Sequence, residues 1–243
     1  MPVPGGNYLS SGPPMRCLAV MLTALSAALP VTAAPPSRVE LTFAIMMGDV
    51  RIAETRELLV HDGRRYQVVS ESTPKGIAAL FINDVRRESR GAITATGLRP
   101  EHFEETGRKS GSRIAKFDWS AGVLTLVNGK STRTVALPQG TLDQASLAYV
   151  LAFRSAVGGN FNVHVTDGRG VKQYRYREVG VETLNTPLGE LRTRRFEKVR
   201  DPDDKRGFEF WVATDRHLLP VKLRYLEKNG DSFDSIITGI TAR

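Results

Sequence analysis

Four times along the chain a tight glycine turn separates runs of alternating apolar and polar residues, and this repetition constrains the fold more than any other feature. Gly48-Asp49 divides residues 39–46 from 50–60, and His61-Asp62-Gly63-Arg64 turns that second run into 65–71. Asn128-Gly129 divides 123–127 from 131–137, and Asn229-Gly230 divides 221–227 from 231–241. A type I′ hairpin turn requires positive φ at both central residues, which Asn-Gly and Asp-Gly tolerate best, so each of these sites predicts two antiparallel strands. Residues 85–94, 100–106, 113–119, 160–166, 172–179, 191–199 and 208–213 read as further strands. In 160–166, Phe161, Val163 and Val165 alternate with Asn162, His164 and Thr166. One polar face per strand is the habit of an antiparallel sheet with one side in water.

Two segments read as helical. Residues 74–83, with Ile77, Ala78, Ala79, Leu80 and Phe81, would form a short helix of two or three turns. A longer helix is expected over 142–157, with Thr141 and Gln144 spaced as a capping box and Gly158-Gly159 as its stop. Apolar residues surround most of its circumference, so it should be buried as a plug on the concave side of the sheet.

The N-terminus carries a different signal. Arg16 precedes a 13-residue weakly polar to apolar run from Cys17 to Leu29, followed by Pro30, Val31, Thr32, Ala33 and Ala34. A positive residue, a short apolar stretch and small residues in A-x-A style make a secretory signal, cleaved between Ala33 and Ala34. The run is shorter than the roughly 20 residues a bilayer-spanning helix needs. Residues 1–14 match no signal n-region, which points to Met15 as the true start. Cys17 opens the apolar run, whereas a lipidated cysteine follows one. Removing 33 of the 243 residues leaves 210 in a single β-rich domain, 34–243, with no cysteine, so disulfides, thiol nucleophiles and thiolate metal sites are excluded. Arg16 is the only charge lost, so the net charge falls from +8 to +7. Export removes nucleic acid from the partners such a charge suggests and leaves anionic envelope surfaces as neighbours. A composition of 41% hydrophobic and 25% charged residues, with mean hydropathy −0.23, excludes a disordered chain and a polytopic membrane protein.

Chemistry is sparsely signalled. No nucleophile elbow is present, and Gly129-Lys130-Ser131 lies in a strand–turn–strand setting with Leu124 where a phosphate loop needs glycine. Asp201, Asp203 and Asp204 resemble a calcium loop until Lys205 occupies a ligand position. His61, His102, His164 and His217 have no metal-pair spacing. Neither cofactor nor metal is expected, and a hydrolase would need Asp118, His164 and Asp215 to converge in one cleft. Trp119, Phe153 and Trp211 are the candidates for lining a cavity for a hydrophobic ligand, with core packing as the alternative. The run Arg192, Arg194, Arg195, Lys198 and Arg200 is either a basic solvent face or a patch for anionic head groups.

Gly97-Leu98-Arg99-Pro100-Glu101-His102-Phe103, then Phe117-Asp118-Trp119, Leu137-Pro138-Gln139-Gly140 and Asp143-Gln144-Ala145-Ser146 form an ordered series. It continues through Thr186-Pro187-Leu188-Gly189, Phe210-Trp211-Val212-Ala213-Thr214-Asp215 and Leu219-Pro220-Val221. This series resembles the exported bacterial envelope proteins of domain-of-unknown-function family 3108. The resemblance implies a periplasmic, mainly β protein whose antiparallel sheet is strongly curved into an open barrel or β-spiral around a helix, similar in shape to carriers that shuttle lipoproteins. It supplies no functional residues. The expected function is therefore a non-catalytic binding module for a lipid or glycolipid, the alternatives being an envelope assembly factor acting through protein contact, or a hydrolase.

Overall fold

The structure, a computed structural model, describes residues 1–2, 34–81, 83–107, 111–154, 159–201 and 203–243, so the signal segment and Ala33 lie outside the described residues. Fifteen strands follow in order. The first eight are β1 (Arg38–Met47), β2 (Val50–His61), β3 (Arg65–Pro74), β4 (Val85–Thr94), β5 (Gly97–Thr106), β6 (Arg113–Asp118), β7 (Val123–Asn128) and β8 (Ser131–Ala136). After β9 (Leu142–Asp143) and one helical turn, α1 (Gln144–Leu147), come β10 (Phe161–Thr166), β11 (Val171–Thr186), β12 (Gly189–Lys198), β13 (Gly207–Ala213), β14 (Pro220–Leu226) and β15 (Ser232–Ala242). They form a single sheet in the order β8-β7-β6-β5-β4-β3-β2-β1-β15-β14-β13-β12-β11-β10-β9. Every pairing is antiparallel except the two-residue parallel contact of β9 with β10. The turns expected from sequence are where the chain reverses, with Gly48, Gly63, Gly129 and Gly230 all at positive φ.

The sheet curls without closing by a ladder. Register shifts at Thr42/Phe43, Ile45/Met46, Arg90/Gly91, Glu178/Gly180 and Trp211/Val212 bend the strands. At the β4 shift Gly91 faces Pro100 so closely that an added Cβ would sit 2.8 Å from the Pro100 Cα. Curling brings the two ends of the strand order together. Arg113 Nη1 of β6 donates to the Asp167 carbonyl in the β10–β11 turn at 3.1 Å, and Arg133 Nη2 of β8 donates to the Arg169 carbonyl of the same turn.

The interior is filled from both halves. Phe161, Tyr176, Phe196 and Phe210 interlock, with Phe196 and Phe210 stacked at 5.1 Å and Phe161 and Tyr176 at 5.2 Å. Val39, Leu41, Leu59, Val68, Phe103, Ala115, Leu124 and Leu126 form the facing layer. Phe161, Val163 and Val165 are buried, as their alternation predicts, although Thr166 is buried as well.

The long helix is the main correction to the sequence reading. Within 142–157, Leu142 and Asp143 are strand, only Gln144–Leu147 is α-helical, and 148–153 continue as turns; 155–158 lie outside the described residues. The bonds Tyr149 N–H to Ser146 O, Val150 N–H to Leu147 O and Ala152 N–H to Tyr149 O span three residues, a tighter winding than an α-helix. A segment apolar on every side has no polar face to fix a 3.6-residue period, so burial of Tyr149, Val150, Leu151 and Ala152 dictates its path. The N-cap is also shifted: Asp143, not Thr141, forms the capping box, with Ser146. The segment nevertheless fills the concave side, with α1 against β3, β4, β5 and β10. In the other helical expectation, 74–83, only a 3-10 turn over Gly76–Leu80 forms, and none of its residues is buried. Among the described residues no helix is long and apolar enough to cross a membrane.

Candidate functional site

Beneath the 142–153 segment runs a polar row built by strand register. Glu57 of β2 faces Ser70 of β3, Ser70 faces Arg87 of β4, Arg87 faces Glu105 of β5, and Glu105 faces Arg113 of β6. Arg87 Nε donates to Glu105 at 2.7 Å, and Arg113 Nη2 donates to its other oxygen. Burial draws the Glu105 carboxyl upward, but Arg87 and Arg113 outweigh it and hold the group below the usual carboxylate range.

The segment itself is pinned to this interior by two carboxylates. Tyr149 Oη donates to Glu57 at 2.9 Å and Ser70 Oγ donates at 3.2 Å. Burial raises the Glu57 carboxyl above its ordinary value, against the lowering pull of both hydroxyls and of Arg87. Asp143 accepts from Ser89 Oγ at 2.6 Å and from the amides of Ala145 and Ser146 at 2.9 and 2.8 Å. Tyr66 Oη lies 2.9 Å from Ser89 Oγ and completes the chain of hydroxyls. Even with these donors, burial pushes the Asp143 carboxyl up to about 6. The arrangement is a tie-down: each polar group is spent on holding the segment in place, and the space between segment and sheet is occupied by Leu142, Ala145, Tyr149 and Leu151.

The sequence candidates do not come together as a lining. Trp119 donates its Nε1 to the Pro100 carbonyl at 2.6 Å and stacks on Phe117. Phe153 meets His61 edge-on at 5.2 Å. Both are partly buried and packed against the core. Trp211, only 3% exposed, is on β13 in the other half of the sheet. Arg195 and Lys222 lie 5.4 and 4.9 Å from its ring centroid, and its Nε1 donates to Glu182, so polar groups seal it. Asp118 accepts from Ser120 and Ala121 in its own turn, which holds its pKa low, and Asp215 pairs with Arg216. No bond joins Asp118, His164 and Asp215, and no group of metal-ligating side chains occurs among the described residues. In the basic run, Arg194 pairs with Glu178, Arg195 with Glu209 and Lys198 with Asp204. Depressions among the described residues include an open one of about 460 Å³ lined by Val60, His61, Arg65, Tyr66 and Arg90 among others, and one of about 220 Å³ bordered by Glu54, Arg56, Glu71, Thr73 and Lys75.

What sequence reasoning missed is an apolar surface at one end of the sheet. Alternate turns of a meander share an end, so the β1–β2 turn lies beside the β3–β4 loop, and the Lys75 amide donates to the Ile52 carbonyl at 2.8 Å. In that loop Ile77, Leu80 and Phe81 are 80%, 77% and 75% exposed. Met47 and Val50, which face each other across the neighbouring hairpin, are exposed too. The signal was legible in the sequence as six consecutive apolar residues, 77–82, between Gly76 and Asn83. Such a run in water is a liability unless it has a use.

Comparison with known proteins places this architecture. In a crystal structure, a β-barrel-like protein of domain of unknown function DUF1849 from Brucella abortus superposes with a TM-score of 0.56 at 8% identity, covering 87% of this chain and all of that one. A protein from Parabacteroides distasonis ATCC 8503 assigned to the lipoproteins aligns over 87% of this chain and 98% of its own at 9% identity, but its TM-score of 0.38 is too low to bear on the fold. No curated protein matches the sequence. The profile of DUF3108, a protein family of unknown function, matches residues 39–236, so the chain belongs to the DUF3108 family.

Proposed function

We propose that this chain is an exported, non-catalytic protein of the bacterial cell envelope that works by contact at its outer surface rather than by enclosing a ligand. The filled interior carries the reading: the concave side, where a curled sheet would hold a lipid, is occupied by the chain's own 142–153 segment, tied down through Asp143 and Tyr149. The scattered positions of Asp118, His164 and Asp215 lend no support to a hydrolase. Export rests on the signal-like stretch that ends at Ala33.

The competing reading is an enclosed lipid or glycolipid lined by Trp119, Phe153 and Trp211, and one experiment separates the two. Native mass spectrometry of the protein purified from the periplasm should give the mass of the mature chain alone, and crosslinking in cells should recover envelope components. A stoichiometric lipid that survives purification would overturn the contact reading.

A further inference from the structure

We infer that the β3–β4 loop is a membrane-contact tip: Ile77, Leu80 and Phe81 insert into the apolar layer of a lipid bilayer, with Lys75 at the head-group level. This deepens the contact reading and rests on it. The three side chains are each at least three-quarters exposed and consecutive turns of one short loop present them, so the loop projects as a wedge and not as a groove wall. None of the loop's helical residues is buried, and the turn therefore contributes nothing to the core that would explain its composition.

Size and charge select the occupant. The tip offers three large apolar side chains, with Met47 and Val50 on the neighbouring turn, far fewer than the roughly 20–30 residues a side that a stable specific protein interface uses. A bilayer needs no complementary shape and accepts a small wedge. The surrounding charges largely cancel. Arg51 and Arg56 pair with Glu54, and Arg86 with Glu71 and Glu88, while exposed Asp49 and Asp84 offset Lys75, which has no ion-pair partner among the described residues. Insertion, not attraction to anionic head groups, must hold the tip. The long apolar stem of Lys75 beside Gly76 allows its ammonium to reach phosphate while the next residues go deeper.

The test is flotation of the purified mature chain with vesicles of phosphatidylcholine alone and of phosphatidylethanolamine with phosphatidylglycerol. Wild type should float with both, and high salt should leave binding to phosphatidylcholine intact. Phe81→Ser should weaken partitioning roughly tenfold or more, and the combined Ile77→Asp, Leu80→Asp, Phe81→Asp variant should abolish it with the melting temperature unchanged. Phe81→Trp provides a direct readout, since its emission should shift to the blue on adding vesicles and be quenched by brominated acyl chains. Failure of wild type to float, equal flotation of the triple variant, or binding that vanishes in high salt would overturn the proposal. So would dimerisation abolished by the triple variant, which would put a second copy at the tip, or a photocrosslinker at position 81 that captures protein and never lipid. Each of these leaves the contact reading standing, whereas an enclosed stoichiometric lipid would remove that reading without affecting flotation.

Discussion

Asp143 offers the sharpest test of how the interior is held. Its carboxyl is pushed up to about 6 from an ordinary 3.8, which at about 1.4 kcal/mol per unit corresponds to about 3 kcal/mol. The sign follows from which state keeps the proton. Between the two values the folded protein holds a proton that the unfolded chain has lost, so this group's contribution is fully present below the unfolded pKa and disappears as pH rises through about 6. Asp143→Asn removes the titration while keeping the cap. The amide oxygen can still accept from Ala145 and Ser146, and its NH2 can donate to Ser89 Oγ, whose hydroxyl then turns to Tyr66. Urea unfolding of both proteins should therefore give curves that converge or cross. Relative to wild type, the variant should gain about 3 kcal/mol between about pH 4 and pH 7, because the other carboxylates titrate identically in both. Asp143→Ala, in contrast, loses the cap and strands Ser89, a loss of about 1–2 kcal/mol that persists at low pH. Parallel wild-type and Asp143→Asn curves across the whole range would refute the assignment of a buried, strained carboxylate here.

Arg113→Met should destabilise the fold by about 3 kcal/mol, since it removes a buried partner of Glu105 and the bridge to the Asp167 carbonyl; guanidinium unfolding measures it, and a loss under about 1 kcal/mol would contradict the bridge's importance. Gly91→Ala should cost more than a surface glycine substitution such as Gly122→Ser, because its Cβ meets the backbone of Arg99 and Pro100, whereas the Gly122 site has open space and only positive-φ strain; melting temperatures of the two variants decide it. Phe196→Ala should cost about 3–5 kcal/mol, since the ring is fully buried between Phe210 and Phe161, and near-UV circular dichroism should show the loosened aromatic cluster.

Local chemistry made most of this sheet readable. Asn128-Gly129 can scarcely be anything but a hairpin, and the flanking runs end within a residue of where β7 and β8 end. The terminal pair around Asn229-Gly230 is equally well marked. The eventual neighbours were harder to read, because no local pattern says that β1 pairs with β15 or that Glu57, Arg87, Glu105 and Arg113 fall in one row. Those facts depend on register accumulated over several strands and shifted by bulges. Segment 142–153 misled for a related reason. Apolarity on all sides announces burial but leaves the backbone conformation to its container. The 74–83 run misled in another way, since an apolar stretch that reads as two or three helical turns forms only a 3-10 turn over Gly76–Leu80, none of whose residues is buried.

The pairing of β1 with β15 places both ends of the folded chain in the middle of the sheet, not at its rim. Arg38 and Arg243 exchange backbone hydrogen bonds of 3.2 and 2.9 Å, and the Ser37 hydroxyl reaches the Arg243 carbonyl across 206 positions of sequence. During synthesis β1 therefore emerges long before its second neighbour, β15, exists, and each flank can form its local hairpins while the central seam waits for β15. Clipping the final strand would split the sheet down its centre. A circular permutant that joins the two ends by a short linker and opens at Gly129-Lys130 would convert that late, long-range closure into an ordinary hairpin.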